Sequence, residues 1–417
     1  MKPVEMTLDQ CIKCNICVTV CPVAAVTDLF PGPKYEAPQG GRFRMVEQAT
    51  PDYSIDYCSG CRACNLACPT GVKIAEMNAR VRNTIVEQGQ VSHRKRLRNN
   101  LIARTELLGN LAQPIAPLSN KIISNPLARK AAEVTLGISA DAYFPPFTEQ
   151  RFTKWWKNKD PQNLDSPKKV VFFYGCSTEY YEPRVGRAAV YVLEVLGFEV
   201  IIPKQNCCGL PLLSNGEFKA ARNYHERNVQ SLVEFARQEI PIVGTSTSCT
   251  LTLKEEAPEL LDMHDESTQL VAEFTYDFNE FLLLQSRFFD LQFTSIPLTL
   301  PYHQPCQYKG HRIGNPAVVV LSLIPDLQIH QSQTACCGIA GTYGFKEEKY
   351  GISQSVGKPL FDFIKSINAP LAVCDSETCR WQITHGTGLP AIHPVELIAA
   401  SLGHKPEGAL AEIPLSK

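Results

Sequence analysis

The chain has 417 residues, of which 44% are hydrophobic and 20% charged, with a formal net charge of −1. The length suggests about three domains and the composition an ordinary globular chain with large buried cores, while the near-zero charge supplies no field that would select nucleic acid. No apolar run of about 18 residues or more reads as a membrane-spanning helix, and the opening MKPVEMTLDQ reads as no secretory signal. The 17 cysteines are odd in number and grouped in patterns, which excludes full disulfide pairing. Metal-binding thiolates in a reducing compartment, the cytoplasm, fit better.

Residues 1–90 read as a two-cluster domain. Cys11, Cys14, Cys17 and Cys21 form one C-x2-C-x2-C-x3-C-P run, and Cys58, Cys61, Cys64 and Cys68 form a second. In bacterial-type ferredoxins with this spacing, three thiolates wrap one 4Fe–4S cluster and the fourth reaches the other. The assignment is therefore Cys11, Cys14, Cys17 and Cys68 for one cluster, and Cys58, Cys61, Cys64 and Cys21 for the other. A pair of structural zinc sites is the plainer alternative, but zinc usually takes two ligands per C-x2-C arm. The connector 22–57 carries P-G-P-K at Pro31–Lys34 and G-G-R-F-R at Gly40–Arg44, and is longer than a small ferredoxin needs. Ile74, Met77, Val81 and Ile85 then form a helical stripe. Together they predict the all-helical ferredoxin type of respiratory iron–sulfur subunits.

Residues 91–167 read as a basic linker or docking segment. Arg94, Lys95, Arg96 and Arg98 open it, prolines such as Pro114, Pro117 and Pro126 divide it, and F-T-K-W-W-K closes it at Phe152–Lys157. Residues 91–169 hold fourteen Lys/Arg and six Asp/Glu, a net of +8. Such a basic, Trp-bearing stretch suits an anionic membrane surface. The alternative is a packed linker with a solvated basic face.

A repeat follows, spanning 168–290 and 291–417. Cys176, Cys207 and Cys249 recur as Cys306, Cys336 and Cys379, at offsets of 130, 129 and 130 residues. Cys208-Gly209 and Cys337-Gly338 complete a Cys-Cys-Gly triplet in each copy. Short apolar runs alternating with helical stretches predict parallel α/β layers. The cysteines fall after strand ends, where open α/β sheets place ligands. Adjacent cysteines suit different irons of one cluster better than a single zinc, and the glycine allows a tight turn beside a bulky group. The alternative for these cysteines is packing as small hydrophobes. Cys374 reads as packing, and His303 as a hydrogen-bonded loop histidine whose sharper roles are cluster ligand or proton donor.

The Cys…Cys-Cys-Gly…Cys pattern resembles the CCG domains of heterodisulfide reductase and related respiratory proteins. That resemblance implies an iron–sulfur cluster per site, in some members a non-cubane one held by five cysteines. Such members end each copy in Cys-x-x-Cys; here Ser246 and Ser376 stand at the extra position. A cubane cluster, a degenerate site and a redox-active thiol pair all stay open, so the CCG sites hold one, two or no further clusters. The chain as a whole, from about residue 9 to about 400, resembles the iron–sulfur subunit family of anaerobic glycerol-3-phosphate dehydrogenases. The matching stretches are the two ferredoxin motifs, Y-H-Q-P-C at Tyr302–Cys306 and C-C-G-I-A-G-T-Y-G-F-K at Cys336–Lys346. The resemblance implies a non-catalytic iron–sulfur subunit that tethers flavoprotein dehydrogenase subunits to the cytoplasmic side of the inner membrane and passes electrons toward menaquinone. The absence of G-x-G-x-x-G argues that neither FAD nor NAD is bound here in the usual way. A heterodisulfide-reductase-like enzyme and an iron–sulfur subunit serving glycolate or lactate dehydrogenase are the competing expectations.

Overall fold

Short runs of β-branched and aromatic residues, buried on both faces, make two parallel sheets. β1 (Lys169–Phe172), β2 (Glu199–Ile201), β3 (Ile242–Gly244) and β4 (Thr275–Asp277) lie in the order β2-β1-β3-β4. Val171 of β1 is opposite both Ile201 and Ile242. β5 (Thr299–His303), β6 (Gln328–Gln331), β7 (Ala372–Cys374) and β8 (Ala391–Ile392) repeat that order as β6-β5-β7-β8. The α/β repeat with parallel sheets is thus as the sequence predicts. This is a computed structural model describing residues 4–44 and 53–414; residues 45–52 of the connector between the cysteine groups lie outside the described residues.

One apolar core joins the two copies. Phe172 and Leu193 from the first pack in the same cluster as Leu300, Tyr302, Leu321 and Ile398 from the second. The helix after β1, Pro183–Val195, packs on the helix after β8, Pro394–Ser401. The helix after β4, Phe278–Leu283, packs on Pro316–Leu321, which follows β5. Each such side chain contributes about 1.5–3 kcal/mol when fully buried, so the copies hold each other together. A buried ion pair between Glu182 and Arg380 crosses the same seam at 2.5 Å.

Among the described residues of 4–90 there is no strand, and the ferredoxin unit is helical as expected. The helix Ile74–Glu87 buries Ile74, Met77, Val81 and Ile85, the stripe read from the sequence. Its basic side chains dock on the first copy. Arg80 reaches the Glu259 carbonyl at 2.8 Å and Asp262 at 2.6 Å, and Arg82 reaches the Ser214 carbonyl at 3.0 Å. Arg62 adds Glu255 at 3.0 Å. On the other side Lys349 of the second copy binds Asp56 at 2.9 Å and lies 5.6 Å from the Tyr57 ring. The ferredoxin unit is therefore wedged between both copies.

The basic segment is four helices and more: His93–Ala103, Thr105–Ala112, Ala116–Ser124 and Pro126–Leu136, then Phe152–Asn158. Pro117 and Pro126 sit in first turns, where no N–H is needed. Two expectations change here. Trp155 and Trp156 pack against the shared core and do not form an outward aromatic face. Arg98, read as part of a solvated basic run, is buried and holds Glu348 with both guanidinium nitrogens at 2.7 and 2.8 Å. Ser139 N–H to the Phe345 carbonyl and Glu347 N–H to the Gly137 carbonyl, each 2.9 Å, fasten the segment to the second copy.

Candidate metal centres and the cavity between them

The cysteines gather into four groups. Cys17 is pushed up by burial and then by Cys11 and Cys14, with Cys68 also close. Burial alone would raise the Cys68 thiol, but the Thr70 hydroxyl and the Val72, Thr70 and Gly71 N–H groups outweigh it and lower it. Cys21 is pushed up to about 11, chiefly by burial, with Cys58 beside it. Cys64 is raised by burial and then by Cys61 and Cys58. Each run thus lends its last cysteine to the other's group. The loops share a backbone device: Lys13 and Asn15 in one, Gly60 and Arg62 in the other, all have φ between 61° and 69°. Such left-handed residues turn the chain sharply around a compact centre at a local conformational cost.

In the repeats, the switch in strand order does the positioning. Between β1 and β3, and again between β5 and β7, the connections leave in opposite directions and open a crevice beyond the strand ends. Cys176 follows β1 and Cys249 follows β3; Cys306 follows β5 and Cys379 follows β7. Cys207 and Cys208 close the first crevice, Cys336 and Cys337 the second. Cys207 is drawn down by the neighbouring Cys176 and Cys208 thiols, and Cys336 by Cys306 and Cys337. Cys337 and Cys379 sulfurs are 3.0 Å apart. Gly209 and Gly338 have φ of 89° and 92°, which only glycine adopts cheaply. Clustered thiols with tight glycine turns fit an iron–sulfur group in each place.

The second crevice holds more than the first. Cys374, on β7, hydrogen-bonds the Cys379 thiol and is itself pushed up by burial. His303, expected as a hydrogen-bonded loop histidine, stands in a strand with the Cys379 thiol as its partner. It is the last residue of β5, 1% exposed, and neither ring nitrogen has a well-formed hydrogen bond among the described residues. Its ligating atom and those of Cys337 and Cys379 lie within 4.8 Å of one another.

The groups are also neighbours. Cys61 is pushed up to about 12 by burial and then by Cys336, and Cys306 is raised first by its hydrogen bond with Cys336, with Cys61 also contributing. A cavity of about 560 Å³ reaches Cys61 and both crevices, including Cys249 and Cys379. Leu101, Leu108 and Ile122 of the inserted helices form part of its apolar wall. Tyr343, Lys346 and Lys349 line it as well. Burial lowers Lys349, yet Asp56 partly restores it.

Sequence reasoning missed several of these residues. Glu106 accepts the Cys207 N–H at 2.8 Å from a helix in the inserted segment; no spacing signals it. Arg380 donates to the Cys374 and Asp375 carbonyls at 2.9 Å each and so pins the end of β7. Its place directly after Cys379 is the one hint the sequence offers.

Residues 7–72 match the 4Fe–4S dicluster domain, and residues 170–254 and 300–384 each match the Cysteine-rich domain called CCG. The class is an iron–sulfur electron-transfer subunit of a dehydrogenase. The chain is 34% identical over 400 residues to an anaerobic glycerol-3-phosphate dehydrogenase subunit of Escherichia coli (strain K12), covering 95% of this chain and 99% of that one. It belongs to the family of that subunit. A probable glycolate oxidase iron–sulfur subunit of Bacillus subtilis is 22% identical over 436 residues, 96% of this chain and 95% of its own. A fumarate reductase (CoM/CoB) subunit of Methanothermobacter marburgensis is 29% identical over 220 residues, 52% of this chain and 41% of its own.

Proposed function

We propose that this chain takes electrons from a flavoprotein dehydrogenase for glycerol-3-phosphate and delivers them to menaquinone at the cytoplasmic face of the inner membrane, without transforming a metabolite itself. Cys11, Cys14, Cys17 and Cys68 would hold one 4Fe–4S cluster, and Cys21, Cys58, Cys61 and Cys64 the other. Cys176, Cys207, Cys208 and Cys249, and Cys306, Cys336, Cys337 and Cys379, would hold further iron–sulfur groups. Such groups supply one-electron transfer when bound. A reduced flavin gives up two electrons singly, and a quinone takes two electrons and two protons to become the hydroquinone. The observation that carries the reading is the closeness of Cys61 to Cys306 and Cys336, which joins the ferredoxin unit to the second repeat. In units, 1–90 collects electrons, 168–290 and 291–417 deliver them, and 91–167 docks.

The inserted helices support the membrane side of this reading. Leu107, Leu111, Leu118, Ile122, Leu127 and Val134 are exposed there, Leu111 by 66% and Leu127 by 82%. Lys121 and Lys130 stand exposed among them. No helix among the described residues is long and apolar enough to cross a membrane. Apolar side chains on surface helices seat about 5–10 Å into the headgroup boundary, and each nearby Lys or Arg adds about 1 kcal/mol on anionic lipid. Ile122 belongs both to this face and to the cavity wall, which gives a lipid-borne quinone a way in. The Leu111→Glu, Leu127→Glu double variant should bind phosphatidylglycerol vesicles at least 10-fold more weakly in co-sedimentation, while its reduction by the flavoprotein is unchanged. Full vesicle binding by the double variant would remove the membrane role. Affinity purification that brings down a glycolate or lactate flavoprotein would reassign the donor.

A further inference from the structure

We infer that His303 is a nitrogen ligand to the metal group of the second repeat, so that the two repeats do not hold equivalent centres; this rests on reading that crevice as an iron–sulfur site.

The backbone register sets the geometry. His303 ends β5 directly opposite Cys374 of β7, and the thiols of Cys337 and Cys379 face its ring. The imidazole is 1% exposed, with no well-formed hydrogen bond at either nitrogen among the described residues. The Cys379 thiol reaches one ring nitrogen, and in a loaded site, where that sulfur is a deprotonated ligand, a bond from ring nitrogen to metal would take over from it. Burial alone does not single out this residue. His311 and His393 are buried too, but each has a backbone carbonyl, of Thr247 or Thr245, at 3.0 Å. His225 is buried without a partner, yet it does not join the His303, Cys337 and Cys379 cluster. Among the described residues only the His303 ring stands with two thiols, those of Cys337 and Cys379, the latter also its hydrogen-bond partner. The first repeat supplies an internal control. At the 130-residue offset Phe173 stands for His303 and Gly244 for Cys374. Phe173 lies in an apolar cluster with Val171 and Leu232, where no ligand is required. One crevice thus has four cysteines, and the other has five with an imidazole beside them.

The chemical consequence is a difference in electron affinity. A neutral imidazole brings no negative charge to the metal, unlike the thiolate that stands in other members where this chain has Ser376, and clusters with histidine ligands have raised reduction potentials. The second repeat, which Cys61 approaches, would then be more oxidising than an all-thiolate centre there, drawing electrons out of the ferredoxin unit.

The test uses the anaerobically purified full chain, labelled with 15N-histidine and reduced stepwise. The centre reduced first should show a 15N coupling of directly bound size in pulsed paramagnetic resonance. His303→Gln should lose that coupling, and His303→Cys should shift the centre's midpoint to lower potential while keeping its iron. The labelled wild type carries the test even if one variant folds poorly. Iron and sulfide in excess of two 4Fe–4S clusters, with no 15N coupling in any signal, would sink His303 alone. Iron for only those two clusters, or zinc at the second repeat, would remove the cluster reading of that crevice and the inference with it.

Discussion

The two cysteine-rich repeats share strand order, cysteine spacing and a left-handed glycine, yet they differ at several residues behind the thiols. Phe173 corresponds to His303, Gly244 to Cys374, and Thr250 to Arg380 across the 130-residue offset. In the first crevice, Glu106 of the inserted helices caps the Cys207 N–H. In the second, the ferredoxin unit comes close through Cys61. A duplicated scaffold fixes where ligands can stand, because strand ends at a switch point are geometric facts. What the ligands do depends on the residues packed around them, which each copy chooses separately.

The comparison can be broken most severely at Cys336. With Cys336→Ser, reduction of the ferredoxin clusters by the flavoprotein should persist while the rate of quinone-analogue reduction drops by at least about 100-fold, roughly 2.7 kcal/mol in barrier. Cys207→Ser should cost clearly less in the same stopped-flow assay. Equal losses would mean that the two repeats carry the electrons equally, and unchanged quinone reduction would overturn the proposed direction. Glycine substitution sharpens the contrast in packing. An alanine at Gly338 would drive its Cβ into the Ser353 carbonyl, whereas at Gly209 the nearest atom, the Ala221 carbonyl oxygen, is 3.5 Å away. Gly338→Ala should therefore destabilise by about 3 kcal/mol or more through overpacking, and Gly209→Ala by only about 1–2 kcal/mol of left-handed strain, read as shifts in denaturant midpoint.

Next comes the seam. Arg380→Met leaves the buried Glu182 with Arg184 alone at 3.2 Å, and the loss of the closer partner should cost about 2–3 kcal/mol. Replacing Thr250, its counterpart, with Val should cost about 1 kcal/mol, the worth of its hydrogen bond to His311. The smallest contrast is at the serines. Ser246 caps its helix through the Cys249 N–H at 3.4 Å and donates to Glu377 at 3.0 Å, but Ser376 makes no cap bond. Ser246→Ala should lower stability by about 1 kcal/mol, and Ser376→Ala by less, in thermal melts under anaerobic conditions.

Much of this is legible in the order of the residues alone. The two C-x2-C-x2-C-x3-C-P runs are legible because three thiols of each group come from one tight local turn, and the Cys-Cys-Gly triplets because they recur at a fixed offset in a duplicated unit. The stripe Ile74, Met77, Val81 and Ile85 is a local periodicity, and it buries as read. What stays hidden is set by partners far away in the chain. Arg98 reads as a solvated charge because nothing near it in sequence announces Glu348. Trp155 and Trp156 read as part of a basic stretch suited to a membrane surface, although a core assembled from residues 152–413 receives them. His303 reads as a plain loop histidine, since the thiols of Cys337 and Cys379 beside its ring come from 34 and 76 residues further on.

The inserted helices also tie the two sets of thiols to a common wall. They line the cavity that reaches both crevices and are held by Arg98 on Glu348 and by the backbone bonds at Ser139 and Glu347. A change that loosened that hold would therefore alter the surroundings of both crevices at once, although it touched none of their cysteines.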